Sequence, residues 1–177
     1  MIRLETNRLI IRDHIEEDLL PLHSLISDEK AMFYIPDIKT RNIDESKENL
    51  RVSMTESKLK DREKYFLAIT LKETGEYVGE IGFTIISDFE EEKTAELGYF
   101  ILPKFWSQGI VTEAAKEVVN FAFNKAGITK LMTGCVKDNK HSEGIMKKLG
   151  MIKERELKSH IEIQGKLYDR VEYRLFK

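Results

Sequence analysis

A strand-like run, a short loop and a long amphipathic helix follow one another directly near the middle of the chain. The run covers residues 94–102, and the helix extends from Gly109 to about Lys125 with one apolar face. The first N–H groups of a helix have no partner within it, and the helix dipole places about half a positive charge there. Gly109 allows the backbone to approach a ligand closely. The segment therefore predicts an anion-binding site, with an ordinary helix start as the alternative.

The glycine spacing of this loop excludes two nucleotide-binding motifs. The loop lacks the two further glycines of G-x-G-x-x-G, and it also lacks the Gly-Lys-Ser/Thr ending of a P-loop. We therefore predict neither dinucleotide binding of the Rossmann type nor P-loop phosphate binding at this position.

Length and charge narrow the class of protein. A chain of 177 residues predicts one domain, residues 1-177. The net charge of −2 argues against nucleic acid as an obligate partner. No apolar run reaches the roughly 20 residues needed to span a bilayer, and the first residues contain no apolar signal core. We therefore expect a cytoplasmic enzyme with neither a membrane nor a nucleic-acid partner.

The cysteine and histidine residues predict neither a metal site nor covalent catalysis. Cys135 is the only cysteine and lies within a predicted strand, with no base nearby in sequence. A buried core thiol is favoured over an acyl-enzyme nucleophile. The four histidines stand in separate segments without ligand spacing, so no metal is predicted.

Further helices and strands are predicted on both sides of the central segment. Residues 16–27 have helical spacing, with Pro21 near the start, and Asp44 is the predicted cap of a helix that reaches about Lys60. Asn139 is the predicted cap of a helix that ends at Leu149 and Gly150. The other predicted strands cover residues 9–12, 65–71, 77–86, 130–136 and the segments that flank residues 164–166, with an acidic loop at 87–92. This order predicts an α/β (α+β) fold, in which a mixed, mostly antiparallel sheet carries helices on both faces.

Four segments carry a resemblance to one family. Residues 96–100 read Glu-Leu-Gly-Tyr-Phe, and after Pro103 residues 107–114 read Ser-Gln-Gly-Ile-Val-Thr-Glu-Ala. The other three are Leu-Glu-Thr-Asn-Arg-Leu-Ile-Ile-Arg at 4–12, Asp-Asn-Lys-His-Ser at 138–142 with Met-Lys-Lys-Leu-Gly-Met at 146–151, and Tyr-Asp-Arg-Val-Glu-Tyr at 168–173. In this order they resemble the GNAT superfamily of N-acetyltransferases. In particular, they resemble the Rim-type branch, which includes the ribosomal-protein N-terminal alanine and serine acetyltransferases.

The resemblance implies direct transfer of an acetyl group from acetyl-CoA, a cosubstrate, to a primary amine, without a metal. It implies that the amides of residues 107–112 meet the pyrophosphate and that the pantetheine arm pairs with the end of the preceding strand. Ser142 would donate a hydrogen bond or a proton to the departing thiolate. The expected cofactor-binding residues are Phe100, Ile101, Leu102, Ser107, Gln108, Gly109, Ile110, Val111, Thr112, Asn139 and Ser142.

Glu96 is the leading candidate for the general base, so the expected catalytic residues are Glu96 and Ser142. It is a carboxylate in an otherwise apolar strand, on the same face as Gly98 and Phe100. A solvent-facing position is the alternative, and Glu162, His160 or a chain of waters could serve instead. A backbone N–H freed where the strand parts from its neighbour would polarise the thioester carbonyl, an effect of roughly 3 kcal/mol.

The sequence leaves the class of the acceptor amine open. Bringing an α-amine to its neutral form at pH 7 costs about 1 kcal/mol, against about 4.6 kcal/mol for lysine. This favours a protein N-terminal α-amine, in agreement with the resemblance. The alternatives are a small amine such as an antibiotic, polyamine or amino acid, and a non-catalytic acyl-CoA-binding module. Residues 28–41 and 160–166 would shape the acceptor site, and the oligomeric state, including a homodimer, stays open.

Overall fold

Eight strands form one sheet in the computed structural model, which describes residues 1–89 and 92–177. Their order in the sheet is β1-β2-β3-β4-β5-β6-β8-β7. The strands are β1 Arg3–Glu5, β2 Leu9–Asp13, β3 Lys64–Leu71, β4 Tyr77–Phe89, β5 Glu92–Ile101, β6 Lys130–Val136, β7 Ile152–Ile163 and β8 Lys166–Phe176. The helices are α1 Leu19–Ile26, α2 Ile43–Glu56, α3 Ile110–Asn124 and α4 Lys140–Lys148, with 3-10 turns at Glu16–Asp18 and Pro103–Phe105.

One parallel pair interrupts an otherwise antiparallel sheet. β5 and β6 run parallel, whereas every other neighbouring pair runs antiparallel. Parallel neighbours need a long crossover, and α3 supplies it between the two strands. The predicted mixed, mostly antiparallel sheet is confirmed.

Helices cover both faces of the sheet, as predicted. On one face, α3 packs its apolar stripe against the central strands, and its small residues Ala114, Ala115 and Ala122 are fully buried there. On the other face, α1 and α2 bury Leu22, Leu25 and Leu50 against the sheet. None of the helices in residues 1–89 and 92–177 is long and apolar enough to cross a membrane.

The predicted strand at 9–12 is present as β2, and a further short strand, β1, precedes it, with the N–H of Thr6 donating to the carbonyl of Leu9 at 3.0 Å. Two local predictions were wrong. The cap of α2 is Asn42, not Asp44, since its side chain accepts from the N–H of Glu45 at 2.9 Å, and α2 ends at Glu56 rather than near Lys60. The segment predicted as an acidic loop is largely paired strand, with Asp88 opposite Lys93; residues 90 and 91 of that prediction lie outside the described residues.

Candidate active site

β5 and β6 part beyond a short parallel pairing and leave a cleft between them. Their register covers only residues 94–96 on β5 and 130–132 on β6, although β5 continues to Ile101 and β6 to Val136. The cleft has a volume of about 540 Å³ and is lined by the parted halves of both strands, the loop before α3 and the first turns of α4. An extended ligand with amide groups can pair with a parted strand edge as an added strand does.

The loop at one end of the cleft presents a row of free backbone donors. Ser107 and Gly109 both adopt positive φ, at 60° and 74°. The N–H groups of residues 107–112 donate to no partner in the described part of the chain, and the first intrahelical bond runs from Glu113 to the carbonyl of Gly109 at 3.1 Å. Successive N–H groups in such a turn make a concave site for an anion. A pyrophosphate fits this loop because it offers oxygen acceptors to these donors.

Side chains from three directions brace this loop. The indole N–H of Trp106 donates to the carbonyl of Ile101 at 3.1 Å, and the Gln108 amide donates to the carbonyl of Lys104 at 2.9 Å. From the N-terminal hairpin, Arg8 donates to the carbonyl of Gln108 at 3.1 Å. The Gln108 and Trp106 side chains are therefore engaged in holding the loop, which leaves its main-chain amides to face a ligand.

The end of β5 offers only part of its backbone to the cleft. Phe100 and Ile101 line the cleft, whereas Leu102 is not part of the lining. The N–H of Leu102 donates instead to the carbonyl of Val78 on β4, at 2.9 Å. The carbonyl of Ile101 is occupied by Trp106. Gly98 also lines the cleft, and a Cβ atom there would meet nothing within 4 Å. The open edge of β5 therefore lies nearer Gly98 than the sequence alone suggests.

Ser142 and Tyr99 form a hydroxyl pair inside the cleft. Asn139 caps α4 as predicted, accepting from the N–H of Ser142 at 3.2 Å. The Ser142 hydroxyl therefore does not cap the helix and lies 3.1 Å from the Tyr99 hydroxyl. Burial raises the pKa of Tyr99 to about 12, against a partial offset from its hydrogen bond with Ser142. Both hydroxyls keep their protons at neutral pH and can donate hydrogen bonds.

Glu96 lies beside the cleft rather than in its wall. Its side chain is 53% exposed and lies 3.6 Å from the guanidinium of Arg170. Arg170 does line the cleft, and its Nε also donates to Glu172 at 3.0 Å. The two alternative bases, His160 and Glu162, are exposed and outside the described cleft lining, although Ile161 between them lines it. Of the three, only Glu96 pairs with a residue of the cleft wall.

The match to known families decides the class of this site. The family described as "Acetyltransferase (GNAT) domain" matches residues 8–152, which include the loop, α4 and all of the described cleft lining except Ile161 and Arg170. The chain belongs to the GNAT acetyltransferase family. It is therefore an acetyl-CoA-dependent N-acetyltransferase, which agrees with the free amides of the loop.

Relatives and solved structures cover nearly the whole length of this GNAT chain. An uncharacterized N-acetyltransferase of Bacillus subtilis (strain 168), YoaA, is 26% identical over 98% of this chain and 96% of its own. The ribosomal-protein-S5-alanine acetyltransferase from Vibrio fischeri has a TM-score of 0.85 at 16% identity, covering 99% of this chain and 97% of the other. The spermidine N-acetyltransferase from Vibrio cholerae, in complex with CoA and spermine, has a TM-score of 0.83 at 16% identity, covering 97% and 96%. Enzymes with this fold thus include one named for a protein acceptor and one named for a small-molecule acceptor.

The GNAT cleft brings together most of the residues expected there and adds others that sequence reasoning missed. All the expected cofactor-binding residues line it except Leu102, and of the expected catalytic residues only Ser142 lines it. The additions include Tyr99, Arg170 and Gly144. Strand alternation could have identified Tyr99, because it places Tyr99 on the opposite face from Glu96, toward α4. Arg170 and Gly144 carry no comparable signal in the sequence.

Cys135 lies in the wall of the GNAT cleft as a buried thiol. Its side chain contacts the carbonyl of Asn139 at 3.9 Å. Burial raises the pKa of Cys135, so the thiol form predominates at neutral pH. This agrees with the interpretation of Cys135 as an inert core residue.

Proposed function

We propose that this enzyme acetylates the α-amine of a protein N-terminus. The observation that carries the proposal is the charge of the cleft. Its described lining contains the basic side chains of Lys30, Lys140, Lys148 and Arg170 but no Asp or Glu. A polyamine acceptor keeps several positive charges, which need carboxylates nearby, whereas an N-terminal α-amine can enter neutral at a cost of about 1 kcal/mol at pH 7.

Apolar side chains support a peptide acceptor. Tyr34, Ile35 and Ile38, between α1 and α2, line the cleft together with Phe100 of β5 and Ile161 of β7. Residues 28–41 and 160–166, expected to shape the acceptor site, thus both contribute to the cleft lining. Such a lining can bury the first side chains of a peptide, since apolar contact contributes about 25 cal/mol per Å² of buried apolar surface.

The proposed chemistry assigns separate tasks to the described residues. Acetyl-CoA supplies an acetyl group activated as a thioester. Glu96, acting through a water, accepts a proton from the amine as its nitrogen bonds to the carbonyl carbon. A backbone N–H on the parted edge of β5 donates to the carbonyl oxygen. As the carbon–sulfur bond breaks, the electron pair leaves on sulfur, where the Ser142 hydroxyl, backed by Tyr99, donates a hydrogen bond.

A panel of amines tests the acceptor class. Release of the CoA thiol is followed with three acceptors: a lysine-free peptide with a free N-terminus, the same peptide N-blocked but carrying one lysine, and spermidine. We expect turnover mainly with the first. Preference for spermidine would transfer the assignment to small amines, and acetyl-CoA binding without turnover on any amine would leave a non-catalytic binding module.

A further inference from the structure

A bulge, residues 158–160, interrupts β7 beside the cleft, where these residues face a single residue of β8. If the register continued unbroken from Leu157, Ser159 would lie opposite Tyr168. In the structure Ile161 lies opposite Tyr168 instead. Bulges next to active sites commonly redirect a side chain in this way. The bulge therefore brings an apolar side chain to a position that an unbroken strand would give to a serine.

Ile161 lies close to the group proposed to receive the proton of the amine. Because side chains alternate along a strand, Tyr168 and Arg170 are on the same face of β8. Ile161, opposite Tyr168, shares that face, and both Ile161 and Arg170 line the cleft. Arg170 in turn pairs with Glu96 at 3.6 Å. A side chain attached next to the reacting amine can therefore contact Ile161.

The backbone of the bulge needs support from its surroundings. Ser159 has a φ of 47°, in the left-handed region that residues other than glycine rarely adopt. Such a conformation persists only where neighbouring groups hold it, and it is often found at functional sites.

Asp169 of β8 supplies this support. One of its carboxylate oxygens accepts from the N–H of Ser159 at 3.1 Å, and the other accepts from Nζ of Lys158 at 2.8 Å. The hydrogen bonds from Lys158 and from the Ser159 N–H lower the pKa of the Asp169 carboxyl, which therefore stays ionised at neutral pH. The carbonyl of Asp169 accepts from the N–H of Lys137 on β6 at 2.8 Å, so its backbone is fixed within the sheet.

We propose that Asp169 is a positioning residue for acceptor specificity. By holding the bulge it keeps Ile161 against the first side chain of the acceptor, and the enzyme then favours an N-terminal residue with an apolar side chain over glycine. This inference rests on the proposed function, because it requires a peptide N-terminus in the cleft.

Two lysine-free peptides that differ only in their first residue, valine or glycine, test the proposal. Release of the CoA thiol gives kcat/KM for each, and we expect a ratio of about tenfold in favour of valine in the wild-type protein. Ile161→Ala and Asp169→Ala should each lower the ratio to about twofold and leave KM for acetyl-CoA unchanged. Because Asp169 acts through Ile161, the double variant should lower the ratio no further than either single variant.

A second pair of variants tests the bulge while Asp169 stays in place. Ser159→Gly should keep the ratio, since glycine adopts a positive φ without strain. Ser159→Val should lower it as Asp169→Ala does, because a β-branched residue does not tolerate this φ. These variants decide the role of the bulge even if Asp169→Ala does not fold.

Two controls separate positioning from general stability. Asp169→Asn should keep most of the ratio, because its amide oxygen can still accept from the N–H of Ser159. Glu154→Gln should keep all of it, because Glu154 is also a β7 carboxylate, paired with Arg174 of β8 at 2.9 Å, but lies outside the bulge. Thermal denaturation checks that each variant is folded.

The possible failures are distinguishable. A wild-type ratio near one, a ratio unchanged in folded Asp169→Ala and in Ser159→Val, or additive losses in the double variant would overturn this inference and leave the proposed function standing. Absence of turnover with both peptides on the wild-type protein would overturn the proposed function and this inference together.

Discussion

Arg8 and Glu113 join the N-terminal hairpin to the first turn of α3, although they are 105 residues apart in sequence. Glu113 accepts from the backbone N–H of Arg8 at 3.0 Å and from its Nε at 2.7 Å. The same guanidinium donates to the carbonyl of Gln108. Burial opposes ionisation of Glu113, but its hydrogen bonds with Thr6 and Arg8 outweigh this and lower the pKa of its carboxyl. The pair therefore ties the phosphate loop to the N-terminal hairpin.

Removal of the Arg8 side-chain contacts should loosen the loop without touching the reacting atoms. For Arg8→Gln we expect KM for acetyl-CoA to rise roughly 5- to 10-fold, the loss of about 1 kcal/mol of hydrogen bonding, with kcat within twofold. Steady-state kinetics at saturating acceptor measures both. Arg3→Gln, which breaks the exposed Arg3–Glu5 pair of the same hairpin, is the matched control. A fall in kcat at constant KM would contradict a positioning role for Arg8.

Gly109 should be required for its backbone conformation rather than for lack of space. A Cβ atom there would meet only the end of Arg8, at 3.8 Å, but its φ of +74° is strained for any other side chain by about 1–3 kcal/mol. Gly109→Val should therefore weaken acetyl-CoA binding at least tenfold in calorimetry. Gly127 also has a positive φ, +73°, and a Cβ atom there would meet nothing within 4 Å. Gly127→Ala should therefore destabilise the fold and leave the affinity for acetyl-CoA intact. Unchanged affinity in Gly109→Val would remove the loop from the cofactor site.

The Ser142–Tyr99 pair should act on catalysis more than on binding. Because the Ser142 hydroxyl contacts Tyr99 and does not cap α4, Ser142→Ala should leave thermal stability nearly unchanged. We expect kcat to fall roughly 10- to 100-fold with KM for acetyl-CoA unaltered, within the range for positioned proton donors. Tyr99→Phe should cost less, since it leaves the Ser142 hydroxyl in place and removes its partner, which also donates to the carbonyl of Ser142 at 3.1 Å. An increased KM with normal kcat would assign Ser142 to binding.

The local patterns of the sequence predict the scaffold better than the site. The helix after Gly109 and the cap at Asn139 depend on neighbouring residues, so both are readable from sequence. The cap of α2 was misplaced because Asn42 and Asp44 are both good capping residues and only backbone geometry separates them. The Arg8–Glu113 contact depends on residues far apart in sequence. Strand alternation gave the face of Glu96 but not its distance from the cleft, which depends on where β5 and β6 part.

A buried charge network around His14 should make the free energy of unfolding depend on pH in the alkaline range. His14 is fully buried, 2.9 Å from Glu80 and 3.3 Å from Asp18, with Arg12 also on Asp18 and the Tyr77 ring close by. Burial alone would lower the pKa of His14, but the two carboxylates raise it to about 9. A raised pKa stabilises the fold fully below about pH 6.5 and loses that contribution as pH rises through about 9.

Denaturant unfolding across this range measures the effect. We expect the free energy of unfolding to fall by on the order of 2 kcal/mol between pH 6.5 and pH 9.5. His14→Gln should be less stable at pH 6.5 and should show a flatter dependence. If the free energy of unfolding fell with the same slope against pH in the wild-type protein and in His14→Gln, the titrating group would not be His14.

The pH dependence of the reaction tests whether Glu96 is the general base. If Glu96 takes the proton of the amine through a water, kcat/KM must rise with pH through an ionisation that disappears in Glu96→Gln. Glutamine keeps the shape of the side chain, and a half-exposed position should tolerate it, which thermal denaturation can check. Glu172→Gln is the matched control, because Glu172 is the other carboxylate that pairs with Arg170. An unaltered profile in Glu96→Gln would remove Glu96 from the mechanism, and a profile altered equally by both variants would show that Arg170, rather than Glu96, governs the ionisation.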